Sequence, residues 1–508
     1  MFSRKNILIS LGAALTVFAL EPCLAQTTSP FNPPEEDFGK YVINSGSGLD
    51  TGCSYRSNGP LLIRLSIPSP VNKNELNGNG TLKDPQKLIG SGVLSDKATI
   101  RFPVYDIDDD ANIQGIAPEI DRVSFNGAFI KTLDGANNTW TDDSFQVDIA
   151  NLKFASEITQ NAVNELRVDI DTANTFEAWC MAVDWVAIEY KATYPYVLAH
   201  GIAANAKTWD DSDAPGVLAT LDDRGVLYTK FSVTPNGAVI ANAQQLKNLI
   251  KGFLDPLKAK KVNIIAHSKG GLDSQALAKI SKPDFEVLSL STLSTPHLGS
   301  VVADLTLIQR NFVDKFVNQQ NDPNGFAQQF VTSRFAGNAA WALSNFGIAP
   351  GLPGLADLTP ASANAAIRAG IRGNVANTFT VGADAGPNCG RDPTPNEISP
   401  MANQAPLLIE PSLRLAYRSI CSYSTAVELG TQLALIPQLT PPFFRLGTLL
   451  IYKTFQANAP RPNDIVVGTF SANPGYGTSL GVNQSKNHST VKNDGNVRQF
   501  LNRTIPLR

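Results

Sequence analysis

The sequence predicts an all-β sandwich over residues 40–190, followed over 194–508 by an α/β unit built on a doubly wound, mainly parallel sheet. Three observations carry this reading. Before residue 190, short apolar or alternating runs recur at 61–67, 99–104, 122–125, 145–149, 165–170 and 185–190, separated by Gly, Asn, Asp and Pro, which is the spacing of a sandwich. From Tyr194 onward apolar strands alternate with helical patterns, the signature of a parallel sheet covered by helices on both faces. The chain also has only four histidines, His200, His267, His297 and His488, and all lie in the second unit. At 508 residues it exceeds what one core usually supports.

The N-terminus reads as an export signal over residues 1–25. Arg4 and Lys5 precede an apolar run at 7–20, too short for a stable membrane span, and Cys23-Leu24-Ala25 offers a small-residue cleavage site before Gln26. A lipid anchor through Cys23 is the alternative, with Glu21 and Pro22 as poor company for it. The mature protein is then expected outside the cytoplasm, secreted or periplasmic. Cleavage leaves Cys53, Cys180, Cys389 and Cys421, an even count that suggests disulfides in an exported chain. Proximity within units favours Cys53 with Cys180 and Cys389 with Cys421, one of three connectivities open to four cysteines.

The sandwich contains no histidine and hence no nucleophile and base pair. Its expected role is structural, or the binding of a carbohydrate, a surface or a polymer. The acidic run Asp106-Ile107-Asp108-Asp109-Asp110 departs from the EF-hand pattern at the glycine position, which is Ala111, and at the final acidic position. It reads as a solvated loop, and no metal site is assigned.

The α/β unit opens with the apolar strand Tyr196-Val197-Leu198-Ala199, which ends in the turn His200-Gly201-Ile202. A helix follows, on which Val239, Ala243, Leu246, Ile250, Phe253 and Leu257 recur at spacings of four and three to form one buried stripe. The apolar run 262–265 then leads into Ala266-His267-Ser268-Lys269-Gly270-Gly271, ahead of a second helical pattern at 272–280. Small residues on both sides of Ser268 let strand and helix approach closely, so the serine is pushed out on a strained turn at a helix N-terminus. A third strand at 287–293 closes with Ser294-Thr295-Pro296-His297-Leu298-Gly299-Ser300, and Asn463-Asp464 and Asn487-His488 stand near the C-terminus.

With these motifs in the order Ser, Asp, His, residues 194–508 resemble the α/β-hydrolase superfamily, and within it the secreted bacterial lipases and esterases. The resemblance implies Ser268 as nucleophile, His488 as general base and then acid, and Asp464 as the residue that orients His488. It implies the backbone N–H groups of Ile202 and Lys269 as the oxyanion hole. Each role fits ester cleavage. A serine hydroxyl is a weak nucleophile until an imidazole with a pKa of about 6.5 takes its proton. A buried carboxylate fixes the tautomer of that imidazole. Two preorganised N–H donors stabilise the tetrahedral oxyanion by about 3–4 kcal/mol each.

Asp384, at the end of the strand-like run 378–383, is the alternative acid. His200, His267 and His297 read as structural, shaping the oxyanion loop, the nucleophile turn and the cleft. Two insertions, at about 311–372 and 385–460, are expected to form a lid or cap. The first holds Trp341, Leu343, Phe346, Ile348, Leu352 and Leu355; the second holds apolar stretches at 433–436 and 443–452, interrupted by Pro437, Pro441, Pro442 and Arg445. They suit a mobile apolar cover over an acyl-chain pocket, opened at a lipid–water interface.

A net charge of −3 without a basic cluster argues against a nucleic-acid partner. The expected partner is a lipid or other ester substrate. Calcium occurs in the catalytic domain of some related lipases, but no ligand set is assigned here, and no cofactor is expected.

Overall fold

The computed structural model describes residues 29–49, 54–106, 119–133, 139–173, 180–300, 353–372, 375–386, 388–399 and 462–508, together with single positions at 52, 302, 303 and between 401 and 421. The predicted export segment at 1–25, Cys53, most of the acidic run and most of both insertions lie outside the described residues.

The six-stranded sheet that carries the second half of the chain is parallel throughout. Its order is Tyr228–Phe231, Tyr196–Ala199, Lys261–His267, Glu286–Leu293, Asn377–Asp384 and Thr478–Gln484. Strands covered on both faces read as continuous apolar runs, and Lys261–His267 is buried at every position after Lys261. The polar residue in its middle is satisfied: Asn263 donates to the Tyr194 carbonyl at 2.9 Å and accepts from the Ser289 hydroxyl at 2.6 Å. This central strand pairs Ala266 with Ala199 on one side and His267 with Leu293 on the other. Its C-terminal end is therefore fixed from both edges.

The helix Val239–Leu254 buries Val239, Asn242, Ala243, Leu246, Ile250 and Leu254. The predicted stripe ran through Phe253 to Leu257. Instead the helix gives way to a 3₁₀ turn at Asp255–Leu257, which contains Pro256, and Leu254 takes the buried place while Phe253 is half-buried. Leu254 and Ile250 are separated by four residues, so both lie on the face that the earlier positions define. No side chain caps the start of this helix from within; the Asp357 carboxylate accepts from the Val239 N–H at 2.7 Å, an anion at the positive end of the helix.

The first half of the chain forms two antiparallel sheets and one short parallel pair, Ile67–Pro68 with Phe154–Ala155. The ten-residue strand Lys97–Asp106 pairs along its whole length with Thr139–Asp148, and its other edge is shared by Val186–Glu189 and Cys180–Val183. A four-stranded sheet has the order Leu61–Leu65, Asn164–Asp169, Arg122–Phe125 and Ala128–Thr132. Alternation is clear in Leu61–Leu65, where Leu61, Ile63 and Leu65 are buried and Arg64 is exposed. The apolar faces of the two sheets meet: Phe125 of one and Phe102 of the other each place a ring 6.1 Å from Phe145 in edge-on contact.

One apolar core runs through both halves. The seam is also hydrogen-bonded, with the Asn72 amide on Asp222 at 2.9 Å, the Tyr194 hydroxyl on Asp37 at 2.6 Å and the Thr193 hydroxyl on the Ile505 carbonyl at 3.2 Å. Gly225 ends the helix Val217–Arg224 at φ 72° with its missing side chain aimed at Leu88 across the seam. Gly225→Ala is expected to lower the urea denaturation midpoint, through backbone strain of about 1–3 kcal/mol. Gly252→Ala, in open space within a helix, is expected to raise it, through about 0.5–1 kcal/mol of added stability. Equal midpoints for Gly225→Ala and the parent would show that the seam adapts.

Candidate active site

Ser268 sits between the strand Lys261–His267 and the helix Lys269–Ile280 with φ 56° and ψ −132°. A non-glycine residue reaches this region only where its surroundings impose it. The imposition comes from packing. A Cβ on Gly270 would lie 2.7 Å from the Ala199 carbonyl oxygen, and one on Gly201 would lie 2.7 Å from the Ser268 Cβ. The Ser268 N–H continues the sheet ladder by donating to the Leu293 carbonyl at 2.9 Å. Strand, turn and helix are thus locked with the hydroxyl at the C-terminal edge of the sheet, where open α/β sheets bind ligands.

Across this edge the structure brings together the three residues that the sequence singled out. His488 Nε2 lies 2.9 Å from the Ser268 hydroxyl, and His488 Nδ1 lies 2.8 Å from an Asp464 oxygen. An ionised carboxylate only accepts, so Nδ1 carries the proton and Nε2 is free to accept from the serine. The second Asp464 oxygen accepts from the N–H groups of Val466 at 2.9 Å and Val467 at 2.7 Å. This tight turn places Ile465 at φ 85°, a strained position for a β-branched residue. Asp464 is fully buried, whereas the His488 side chain keeps 12% of its surface.

The chain is similar to triacylglycerol lipases. One from Pseudarthrobacter phenanthrenivorans is 32% identical over 153 residues, which make up 28% of this chain and 43% of that lipase. One from Burkholderia plantarii is 32% identical over 153 residues, 28% of this chain and 38% of the relative. The matched stretch thus spans less than half the length of these relatives. Among solved structures, the mature form of a Bacillus licheniformis lipase, BlEst2, aligns with 59% of this chain and 87% of its own at a TM-score of 0.35 and 16% identity. No protein-family model matches the chain.

Asp384, the alternative acid, makes no bond to His488. It accepts from the N–H groups of Gly386, Asn388 and Asn463 at 3.3, 2.8 and 3.4 Å, and from the Tyr417 hydroxyl at 3.0 Å. Burial pushes its carboxyl up, against the pull of these donors. Asp384 therefore braces the segment that presents Asp464. Asn463 extends the brace, its amide donating to the Tyr417 carbonyl and to Cys421 Sγ, and Cys421 is disulfide-bonded to Cys389 as the within-unit pairing anticipated. Cys180 is also in a disulfide, and its expected partner Cys53 lies outside the described residues.

Of the two N–H groups implied for the oxyanion hole, Lys269 is the first residue of its helix, where N–H groups have no intrahelical acceptor. Ile202 follows Gly201, which packs on Ser268. His200 holds this loop: its Nδ1 lies 2.8 Å from the Gly201 carbonyl, and its Nε2 accepts from the Val233 N–H at 3.0 Å. His297 is buried away from Ser268, between the Thr292 hydroxyl at 3.1 Å and the Tyr476 hydroxyl at 3.0 Å, and burial beside Arg372 pushes its pKa down to about 3.

The Lys269 side chain was not singled out by sequence, although Lys and Asp four residues apart on a helix are a readable pair. It is wholly buried, with its ammonium 2.8 and 3.0 Å from the two oxygens of Asp273, which also accepts from Asn242 at 3.1 Å. Burial pushes Asp273 up to about 6 in spite of Lys269. The pair lies under the first described turn of the insertion, since a Cβ on Gly354 would come 2.9 Å from Lys269 Cε.

Removing one member of such a pair strands a buried charge. Lys269→Met is expected to cost about 3–5 kcal/mol in a denaturation experiment, and adding Asp273→Leu to recover most of it. Equal losses in the single and double variants would refute the pairing.

Proposed function

We propose that the chain is a secreted serine carboxylic-ester hydrolase, a lipase that cleaves acylglycerol esters through an acyl-enzyme. The observation that supports this reading above all is the hydrogen-bonded series from the Ser268 hydroxyl through His488 to Asp464. The similarity to triacylglycerol lipases points to the same substrate class.

In this reading Ser268 attacks the ester carbonyl while His488 Nε2 takes its proton. Asp464, already hydrogen-bonded to Nδ1, stabilises the imidazolium. The N–H groups of Ile202 and Lys269 receive the negative charge that develops on the carbonyl oxygen. His488 then returns its proton to the leaving alkoxide, the alcohol departs, and water repeats the sequence on the acyl-enzyme. The antiparallel sheets form an accessory sandwich, and residues 1–25 direct export.

The test is hydrolysis of nitrophenyl esters from acetate to palmitate, and of emulsified triacylglycerol, by the parent protein and its Ser268→Ala variant. Turnover that depends on Ser268 and rises toward long chains and emulsion is expected. Preference for short soluble esters would replace the lipase with an esterase, and no Ser268-dependent turnover would overturn the reading. Asp464→Asn is expected to lower kcat by about 10⁴-fold, because it removes the acceptor that selects the His488 tautomer. Asp384→Asn is expected to leave a larger residual rate; the reverse ranking in folded protein would transfer the acid role to Asp384.

A further inference from the structure

We propose that His267 is a positioning residue for His488: it donates a hydrogen bond to the His488 main-chain carbonyl and so ties the base to the strand that carries the nucleophile. This rests on the reading of His488 as the general base.

His267 is the last residue of the central strand and the neighbour of Ser268 in sequence. Its Nε2 lies 2.7 Å from the His488 carbonyl oxygen, and the two rings are 4.8 Å apart between centroids. A carbonyl only accepts, so the proton resides on Nε2. Its Nδ1 faces the oxyanion turn, where a Cβ on Gly201 would approach it to 3.4 Å.

The rest of the His488 peptide is held by Asp464, whose carbonyl accepts the His488 N–H at 3.0 Å. Other anchors of this loop act on either side of His488. Asn487 donates to the carbonyls of Glu397 and Ser399, and Lys492 donates to the Thr208 carbonyl. Asp464 alone would fix the base to the acid. The bond from His267 fixes it to the nucleophile, and the 2.9 Å separation of Nε2 and Oγ depends on that second attachment.

The donor also suits its place electrically. Burial pushes the His267 imidazole well below its ordinary pKa, and the facing His488, Lys492 and His200 push in the same direction. A neutral ring donates to the His488 carbonyl without placing a positive charge beside the imidazolium that forms in turnover.

The side-chain amide of glutamine can occupy the place of a histidine Nε2–H, whereas that of asparagine is one bond too short. His267→Gln, His267→Asn and His267→Leu would be compared with the parent in steady-state hydrolysis of nitrophenyl butyrate and in the rate of Ser268 phosphonylation by a fluorophosphonate probe. Circular dichroism would report folding. Asn and Leu are expected to lower kcat and the phosphonylation rate by about tenfold or more with KM within about twofold, and Gln to restore kcat to within about threefold of the parent. If Leu does not fold, the contrast between Gln and Asn decides. Gln no better than Asn, full activity in Leu, or failure of Gln and Asn to fold would overturn the positioning role. A parent without Ser268-dependent turnover would overturn the hydrolase reading, and this role with it.

Discussion

The close approach of the helix Lys269–Ile280 to the strand end at Ala199 and His200 is the constraint on which the site depends. Gly270 packs against both of those carbonyls, and Gly271 packs against Thr295 on the other side. With no side chain at either position, the helix begins directly above the sheet. The connecting residue then has no route except the positive-φ conformation that Ser268 adopts. The strain at Ser268 is held by ladder hydrogen bonds and by burial of the central strand, so it belongs to the core and not to a loop. The same approach starts the helix directly after Ser268.

The opposite wall is organised by carboxylates with separate tasks. Asp384 collects donors from its own loop, from Tyr417 and from Asn463, and that last bond delivers the turn in which Asp464 sits. Asp464 spends one oxygen on the turn and the other on His488. In sequence Asp384 competes for the acid role because it ends a strand-like run, whereas Asp464 stands in a turn. Which of them meets the histidine is settled by the path of residues 462–468. The left-handed turn at Ile465 directs that path, and no local pattern announces it.

Legibility followed the same division between local and long-range causes. The central strand, its serine turn and the apolar stripe of the helix Val239–Leu254 were readable because burial on a fixed period leaves a mark in a short window. The strands Lys40–Ile43, Ser54–Tyr55 and Cys180–Val183 were not. The end of the helix was misplaced by three residues because Phe253 and Leu257 fit the period as well as Leu254 does, and the Asp255-Pro256 break outweighed it. The histidines were readable as a group by scarcity and order. The partners of His200, His267 and His297 were not, because each bonds to a segment brought near only by the tertiary fold, such as Val233, His488 and Tyr476.

Those buried histidines bear on the charge balance at His488. Burial pushes His200, His267 and His297 all downward, toward the neutral form. The ring of His267 is 4.8 Å from that of His488, and two unit charges at such a distance in a partly screened protein interior repel by about 3 kcal/mol. Were His267 charged, that repulsion would oppose a positive charge on His488, which the proposed role of His488 as a base requires. Kept neutral, it can serve as a donor, and the hydrogen bond between His488 Nδ1 and Asp464 meets no such opposition. The apolar packing that makes the serine turn possible thus also removes a competing cation, so geometry and electrostatics at this site share one cause.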